Sequence, residues 1–382
     1  MKKAKRLESV KEYYFSRKLK EVSRMMNSGK PVINMGIGSP DIEPNPSVVK
    51  ALSTAMSHPR AHMYQSYQGL PELRKTISSF YKKHYDVNLN PDSEVLPLMG
   101  SKEGIMHLSM AFLNSGDEVL IPNPGYPTYS SVARLMEAKT IFYDLNSSKN
   151  WQPDFEFLDH LDTSKVKIMW LNYPHMPTGT DVSVETFDKL ILWARQRDIL
   201  LINDNPYSFI LTEKPQSILS RPYAKEVAVE LNSLSKSFNM AGWRVGMMIG
   251  NEKVLTQALK VKSNMDSGML FGIQQGAIEA LNMTPDWFYE LNKVYKKRRE
   301  LMKNLIKKLG ARIEKEGVGL FLWARLPKGL NNSEAFIDKI LKEKNIFITP
   351  GTVFGSQGEG YIRFSLCVSE EKIKEAIKRF ES

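Results

Sequence analysis

Between residues 94 and 249, short apolar runs alternate with amphipathic stretches, and most runs end in a small, polar or acidic residue. The runs are Glu94–Met99 before Gly100, Glu118–Ile121 before Pro122, Lys167–Leu171 before Asn172, Ile199–Asn203 before Asp204, Val227–Leu231 just before Ser233, and Val245–Ile249. The stretches Leu70–Tyr85, Glu103–Leu113 and Val184–Gln196 carry helical spacing. Strands alternating with helices predict a mostly parallel sheet covered on both faces. Open sheets of that kind bind ligands beyond the carboxyl ends of their strands. The polar residues gathered there are therefore the first candidates for chemistry.

The flanks read differently. Tyr14, Leu19, Val22 and Met26 predict a helix from Val10 to Met26, stopped by Gly29 and Pro31. INMGIGSPD, residues 33–41, reads as a short strand running into a Gly/Pro loop, and Pro46 opens a helix to His58. Beyond Trp287 comes an α+β module: a basic helix Lys293–Leu309, a strand Leu320–Ala324, a helix Ser333–Glu343, strands Ile346–Thr349 and Tyr361–Leu366, and a last helix.

Composition excludes several classes. Apolar residues at 42% and charged residues at 25% rule out wholesale disorder. One cysteine, Cys367, cannot build a disulfide framework, a zinc finger or an iron–sulfur cluster, and no metal site is expected. No stretch approaches the roughly 20 apolar residues that span a bilayer. The basic MKKAKR start meets Glu8 and Glu12 rather than an apolar segment, so we expect a soluble cytoplasmic enzyme with no secretory signal. The net charge of +11 leaves nucleic acid, membrane and anionic small molecules open. The Lys/Arg run 296–299 reads as a solvated helix face.

Three segments carry chemistry. In LNSLSKSFNMAGWRVG, residues 231–246, a strand ends in Ser233, Ser235 and Lys236, and Arg244 follows eight residues after the lysine. A phosphorylated aldehyde cofactor needs such a set: an amine to condense with the aldehyde, and hydroxyls and a guanidinium to hold the phosphate. In INDNPY, residues 202–207, Asp204 sits at a strand end with Tyr207 three residues on. A carboxylate there can keep a pyridine nitrogen protonated, and a phenol can bond the 3-oxygen. In MGSKEG, residues 99–104, a strand, a Gly turn and a helix start offer the backbone N–H groups of Ser101 and Lys102 to an anion. Taken singly, each also reads as a solvated loop lysine, an Asp cap or an ordinary strand–turn–helix junction.

Together and in this order, the segments resemble the fold-type I pyridoxal 5'-phosphate (PLP)-dependent aminotransferases of class I/II, the aspartate-aminotransferase-like group. The resemblance runs over nearly the whole chain. It makes NMGIGSPD the loop in which Gly38 meets the substrate carboxylate through its backbone. It makes YQSYQGLPELR, residues 64–74, the motif whose Tyr64 reaches the neighbouring subunit's PLP phosphate, which implies a homodimer with shared active sites. Tyr126 in PNPGYPTY would stack on the pyridine ring, and Arg363 in PGTVFGSQGEGYIRFSL would take the α-carboxylate as a planar, bidentate cation. Lys236, Asp204 and Tyr207 become the catalytic set. Ser101, Lys102, Asn172, Ser233, Ser235 and Arg244 join the cofactor contacts.

The implied reaction moves an α-amino group from an amino acid, glutamate by family habit, to a 2-oxo acid by a ping-pong mechanism. The implied architecture is α/β: residues 1–46 as an N-terminal arm and part of the small domain, 47–286 as a large PLP domain with a mostly parallel sheet between helices, and 287–382 completing a small α+β domain.

One departure stands out. The family reads Asn-x-Pro-x-Asn-Pro-Thr-Gly where this chain reads NYPHMPTG, residues 172–179. Met176 replaces the second Asn, which bonds the cofactor's 3-oxygen and touches the carboxylate. Tyr207 alone could hold the oxygen, Asn172 or His175 could move in, or the chain could bind PLP without transaminating. The stretch 260–278 resembles the branch holding diaminopimelate-type enzymes, with Lys262, Asn264 and Ser267 as candidate substrate readers or plain loop residues. The charge of +11 suits dianionic substrates, an N-succinyl-diaminopimelate type among them. A PLP-dependent carbon–sulfur lyase shares the fold and is the alternative. A PLP-sensing DNA regulator is not expected, because only about 30 residues precede the glycine loop.

Overall fold

The computed structural model describes residues 1–8 and 14–381. Strands are β1 (Ile33–Asn34), β2 (Val95–Leu98), β3 (Glu118–Asn123), β4 (Lys139–Asp144), β5 (Val166–Leu171), β6 (Leu200–Asp204), β7 (Ala228–Ser233), β8 (Gly246–Gly250), β9 (Phe321–Arg325), β10 (Ile346–Phe347), β11 (Thr349–Pro350) and β12 (Tyr361–Ser365). Helices are α1 (Tyr14–Asn27), α2 (Pro46–Ala55), α3 (Pro71–Tyr85), α4 (Ser101–Phe112), α5 (Pro127–Leu135), α6 (Phe155–His160), α7 (Val184–Arg197), α8 (Ala224–Val227), α9 (Leu234–Ser237), α10 (Glu252–Lys262), α11 (Phe271–Leu281), α12 (Pro285–Lys308), α13 (Ser333–Lys344) and α14 (Glu370–Lys378).

The main sheet has seven strands in the order β2-β8-β7-β6-β5-β3-β4. Its neighbours from β7 to β4 run parallel, and β8 is antiparallel to both β7 and β2. Successive side chains of a strand point to opposite faces. Here Ile168 and Trp170 of β5 fill one core with Ile105, Ile202 and Leu231, whereas Met169 and Leu171 fill the other with Leu201 and Met247. Both faces are covered, as the continuous apolar runs require.

The C-terminal part folds as an antiparallel sheet β11-β12-β9, and β1 pairs in parallel with β10, so the N-terminal segment joins it. α1 ends by a chain reversal at Gly29, whose φ of +83° suits glycine; the Gly29 N–H donates to Met26 and the Lys30 N–H to Met25. Residues 10–13 of the expected first helix lie outside the described residues.

Several local expectations shift. The strand expected to stop at Pro122 continues to Asn123, because the pairing of β3 with β5 ends at Leu120 and no N–H is needed on that side, while Pro122 still sits opposite Tyr143 of β4. The single strand expected over 346–349 is two, since the chain changes partner from β1 to β12 around Ile348. α12 begins at Pro285, eight residues before Lys293.

The reading of 296–299 as a solvated face is corrected. Lys296 and Lys297 are exposed, but Arg298 is buried, with Nη1 and Nη2 donating to the Asp41 carboxylate at 2.6 and 2.9 Å and Nη1 to the Leu366 carbonyl at 3.0 Å. This pair ties α12 to the loop after β1. Removing one partner leaves a buried charge uncompensated. Asp41→Ala should therefore cost about 2–4 kcal/mol, less than for a fully buried pair because Asp41 is partly exposed. Adding Arg298→Met should restore most of it in denaturant unfolding; a single variant as stable as the parent would contradict the assignment.

Candidate active site

A cavity of about 1010 Å³ opens at the carboxyl ends of β5, β6 and β7, closed from the far side by β9, β12 and α1. Gly38, Ser101, Lys102, Tyr126, Asn172, Asp204, Tyr207, Ser233, Ser235, Lys236, Arg244 and Arg363 all line it. Residues spread over more than 320 positions of sequence thus converge on one space.

Asp204 closes β6 and is buried. Its Oδ2 accepts the Tyr129 hydroxyl at 2.9 Å, while Oδ1 is buried with no partner among the described residues. Burial pushes its carboxyl up to about 7, the neighbouring Glu230 adds to the rise, and the Tyr129 bond opposes it. Tyr129 is held by stacking on Trp170, with ring centroids 4.7 Å apart. Asn172, at the end of β5, donates to the Asp204 carbonyl at 2.6 Å and accepts the Met176 N–H at 3.0 Å. Its amide therefore orders two backbone segments.

Lys236 follows β7. Its Nζ lies 2.5 Å from the Gly38 carbonyl, and burial, with the Arg363 and Arg244 cations, lowers its pKa. On one side of it is an anion cradle. The first turn of α4 has no side-chain cap, and Gly100 before it adopts φ +88°. A Cβ on Gly100 would lie 2.2 Å from Arg244 Nη2, so glycine is what lets the guanidinium reach the helix start. The Ser233 hydroxyl donates to Ser235 Oγ at 2.8 Å, and Arg244 Nη1 donates to the Ala241 carbonyl at 2.7 Å.

On the other side stands Arg363, on β12. Its Nη2 donates to the Gly36 carbonyl at 2.7 Å, and its guanidinium carbon lies 3.9 Å from the Phe321 ring centroid and 4.6 Å from that of Phe354. Nη1 approaches Met176 Sδ at 3.2 Å. Met176 thus lies against the guanidinium. A Cβ on Gly38 would meet the Phe321 ring at 2.3 Å, so the loop passes the aromatic wall only as glycine.

Other expected residues lie elsewhere. His175 does not enter the cavity: its ring is buried against Thr178 Oγ1 at 2.7 Å and the Pro124 carbonyl at 3.1 Å, and burial lowers its pKa to about 3. Tyr64 is 90% exposed, outside the cavity of its own chain. Lys262 is buried, its Nζ 2.6 Å from Asp266 Oδ2. Asn264 and Ser267 are exposed, and none of the three lines the cavity. Tyr129 and the face of α1 were not singled out in the sequence. Tyr129 stood three residues from Tyr126 in the same motif, whereas α1 carried no motif.

The residues present fit PLP. The orphaned Asp204 Oδ1 suits a buried donor such as a protonated ring nitrogen. The cradle of α4, Ser233, Ser235 and Arg244 suits a phosphate dianion, and the lysine between the two arginines has a depressed pKa.

Without a cofactor, folding takes up a proton at Asp204, because its pKa rises from an ordinary 3.8 to about 7. That contribution to stability is present below the unfolded value and lost as pH climbs through about 7. The cofactor-free protein should lose up to ~4 kcal/mol between pH 4 and 8 from this group. Asp204→Asn should flatten the profile in thermal unfolding; identical profiles would contradict it.

The class I and II aminotransferase family matches residues 30–380. An LL-diaminopimelate aminotransferase of Aquifex aeolicus is 38% identical over 379 residues, covering 99% of this chain and 98% of its own. Another, of Dehalococcoides mccartyi, is 39% identical over 381 residues with the same coverage. The substrate-bound structure of BacF from Bacillus subtilis superposes with a TM-score of 0.95 at 33% identity, covering 100% of this chain and 97% of that one. The chain belongs to the class I and II aminotransferases, enzymes that use pyridoxal 5'-phosphate to transfer amino groups.

Proposed function

We propose that this aminotransferase acts on LL-diaminopimelate, exchanging its amino group with a 2-oxo acid such as 2-oxoglutarate, with glutamate as the counterpart donor. Two relatives bearing that activity in their names match almost end to end. The observation that carries the chemistry is the convergence of Lys236, Arg244, Arg363 and Asp204, whose buried Oδ1 has no partner among the described residues, on one cavity.

When bound, PLP supplies an electron-withdrawing ring that acidifies the substrate Cα–H. The chain's residues divide the rest. Ser233, Ser235, Arg244 and the first turn of α4, with Ser101 and Lys102, hold the phosphate. The Asp204 carboxylate would pair with the ring N–H and so stay ionised where burial alone would protonate it. Tyr126 would cover the ring and Tyr207 would donate to its 3-oxygen, while Asn172 fixes the Asp204 backbone. Arg363 takes the substrate α-carboxylate, with the Gly38 backbone alongside. That leaves the Cα–H near Lys236, whose pKa is lowered by burial and by the Arg363 and Arg244 cations, to take the proton and return it one atom away. Met176 offers no donor, so Tyr207 holds the 3-oxygen by itself. The exposed Tyr64 serves a second copy's phosphate, which makes the homodimer the working unit.

Purified enzyme given LL-diaminopimelate and 2-oxoglutarate should form glutamate, with parallel double-reciprocal lines. Turnover of glutamate with other oxo acids but none of diaminopimelate would overturn the substrate. Pyruvate and ammonia released from a sulfur amino acid without any acceptor would favour a lyase. Lys236→Ala should reduce turnover by at least about 10⁴-fold; residual turnover well above background would remove Lys236 from its role.

A further inference from the structure

Ser16, Lys20, Ser23, Arg24 and Asn27 of α1 line the cavity, spaced by four, three, one and three residues. That spacing is one stripe along a helix. Other residues dock α1: Val22 is buried, Lys18 Nζ lies 2.6 Å from Asp338 of α13 and 2.8 Å from Glu21, and Phe15, itself on the cavity wall, packs edge-on against Phe347. The polar stripe is therefore presented to the cavity by a helix anchored to the C-terminal sheets.

The cavity's charges are lopsided. Among the described residues that line it, Asp204 is the only acid, and it would face the ring nitrogen. Arg244 and Arg363 have their anions. Arg24 forms no ion pair with any described residue, and nothing else in the proposed mechanism uses it. A guanidinium beside a polar stripe, with no acid on the wall near it, suits a second carboxylate held bidentately.

We infer that Arg24 reads the distal carboxylate of the substrate, flanked by Ser23 and Asn27, so that the enzyme selects dicarboxylic amino acids from within its own chain. This rests on the proposed assignment of Arg363 to the α-carboxylate. Arg24 sets specificity and takes no part in proton transfer.

The test compares glutamate with norvaline, which has a methyl group in place of the distal carboxylate, using PLP-loaded enzyme. Arg24→Gln should lower the glutamate-to-norvaline ratio of kcat/KM by roughly 10- to 100-fold, mainly through KM. Arg24→Lys should recover part of it. Arg17→Gln removes the same charge from α1 outside the cavity and should leave the ratio within twofold. Calorimetric binding of glutarate against valerate should follow the same pattern without turnover. An unchanged ratio in Arg24→Gln, an equal effect from Arg17→Gln, or a parent enzyme indifferent to the distal carboxylate would each overturn the inference. Loss of discrimination in Arg24→Gln from an enzyme inert to LL-diaminopimelate would overturn the substrate proposal and leave this inference standing; conversion of LL-diaminopimelate with an unchanged ratio would do the reverse.

Discussion

The Asp204 carboxylate sits at the end of a central strand, shielded from water, with one oxygen on Tyr129 and the other on nothing. A buried acid in that state is costly to ionise. It becomes favourable as an anion only beside a cation, which is what a protonated pyridine provides. The surroundings hold it there: Trp170 stacks under Tyr129, and Asn172 binds the Asp204 carbonyl. The same burial lowers the pKa of Lys236 across the cavity. One physical condition, exclusion of water at the carboxyl ends of β6 and β7, thus shifts both groups, the acid upward and the amine downward.

The two arginines flanking this centre are held by different means. Arg244 reaches the first turn of α4 because Gly100 leaves room for it. Arg363 lies among Phe321, Phe354 and a backbone carbonyl, a setting that strengthens its grip on a carboxylate by excluding competing water. Arg244 belongs to the main sheet's side of the cavity and Arg363 to the C-terminal sheet's side. A substrate held as proposed would bridge these two parts of the fold, and α1 is docked on the same C-terminal part as Arg363. Met176 touches Arg363 through a polarizable sulfur that donates nothing and accepts only weakly, so its side chain would add no donor for a bound carboxylate.

Much of this was legible in the chain. Strands ending in Asn172, Asp204 and Ser233 were visible as apolar runs with polar stops, and those stops are where the cavity lies. Lys236 and Arg244 were legible because their chemistry is local in sequence. What was not legible depends on long-range packing. The antiparallel direction of β8, the split of 346–349 between two partners and the burial of Arg298 on Asp41 leave no periodic trace. Lys262 read as a candidate substrate reader because the 260–278 stretch resembles a family motif; only the fold shows it buried against Asp266, four residues on. The stripe on α1 was hidden because serine, lysine and arginine at helical spacing also describe any solvated helix face.

Lys236 is the proposed point of covalent attachment of the cofactor. Borohydride reduction of the PLP-loaded protein, followed by proteolysis and mass mapping, tests it without any choice of substrate. The account predicts one pyridoxyl-modified peptide, spanning the 231–246 region, with the adduct on Lys236. An adduct on Lys102 or any other lysine, or no adduct in a protein that binds PLP, would contradict it.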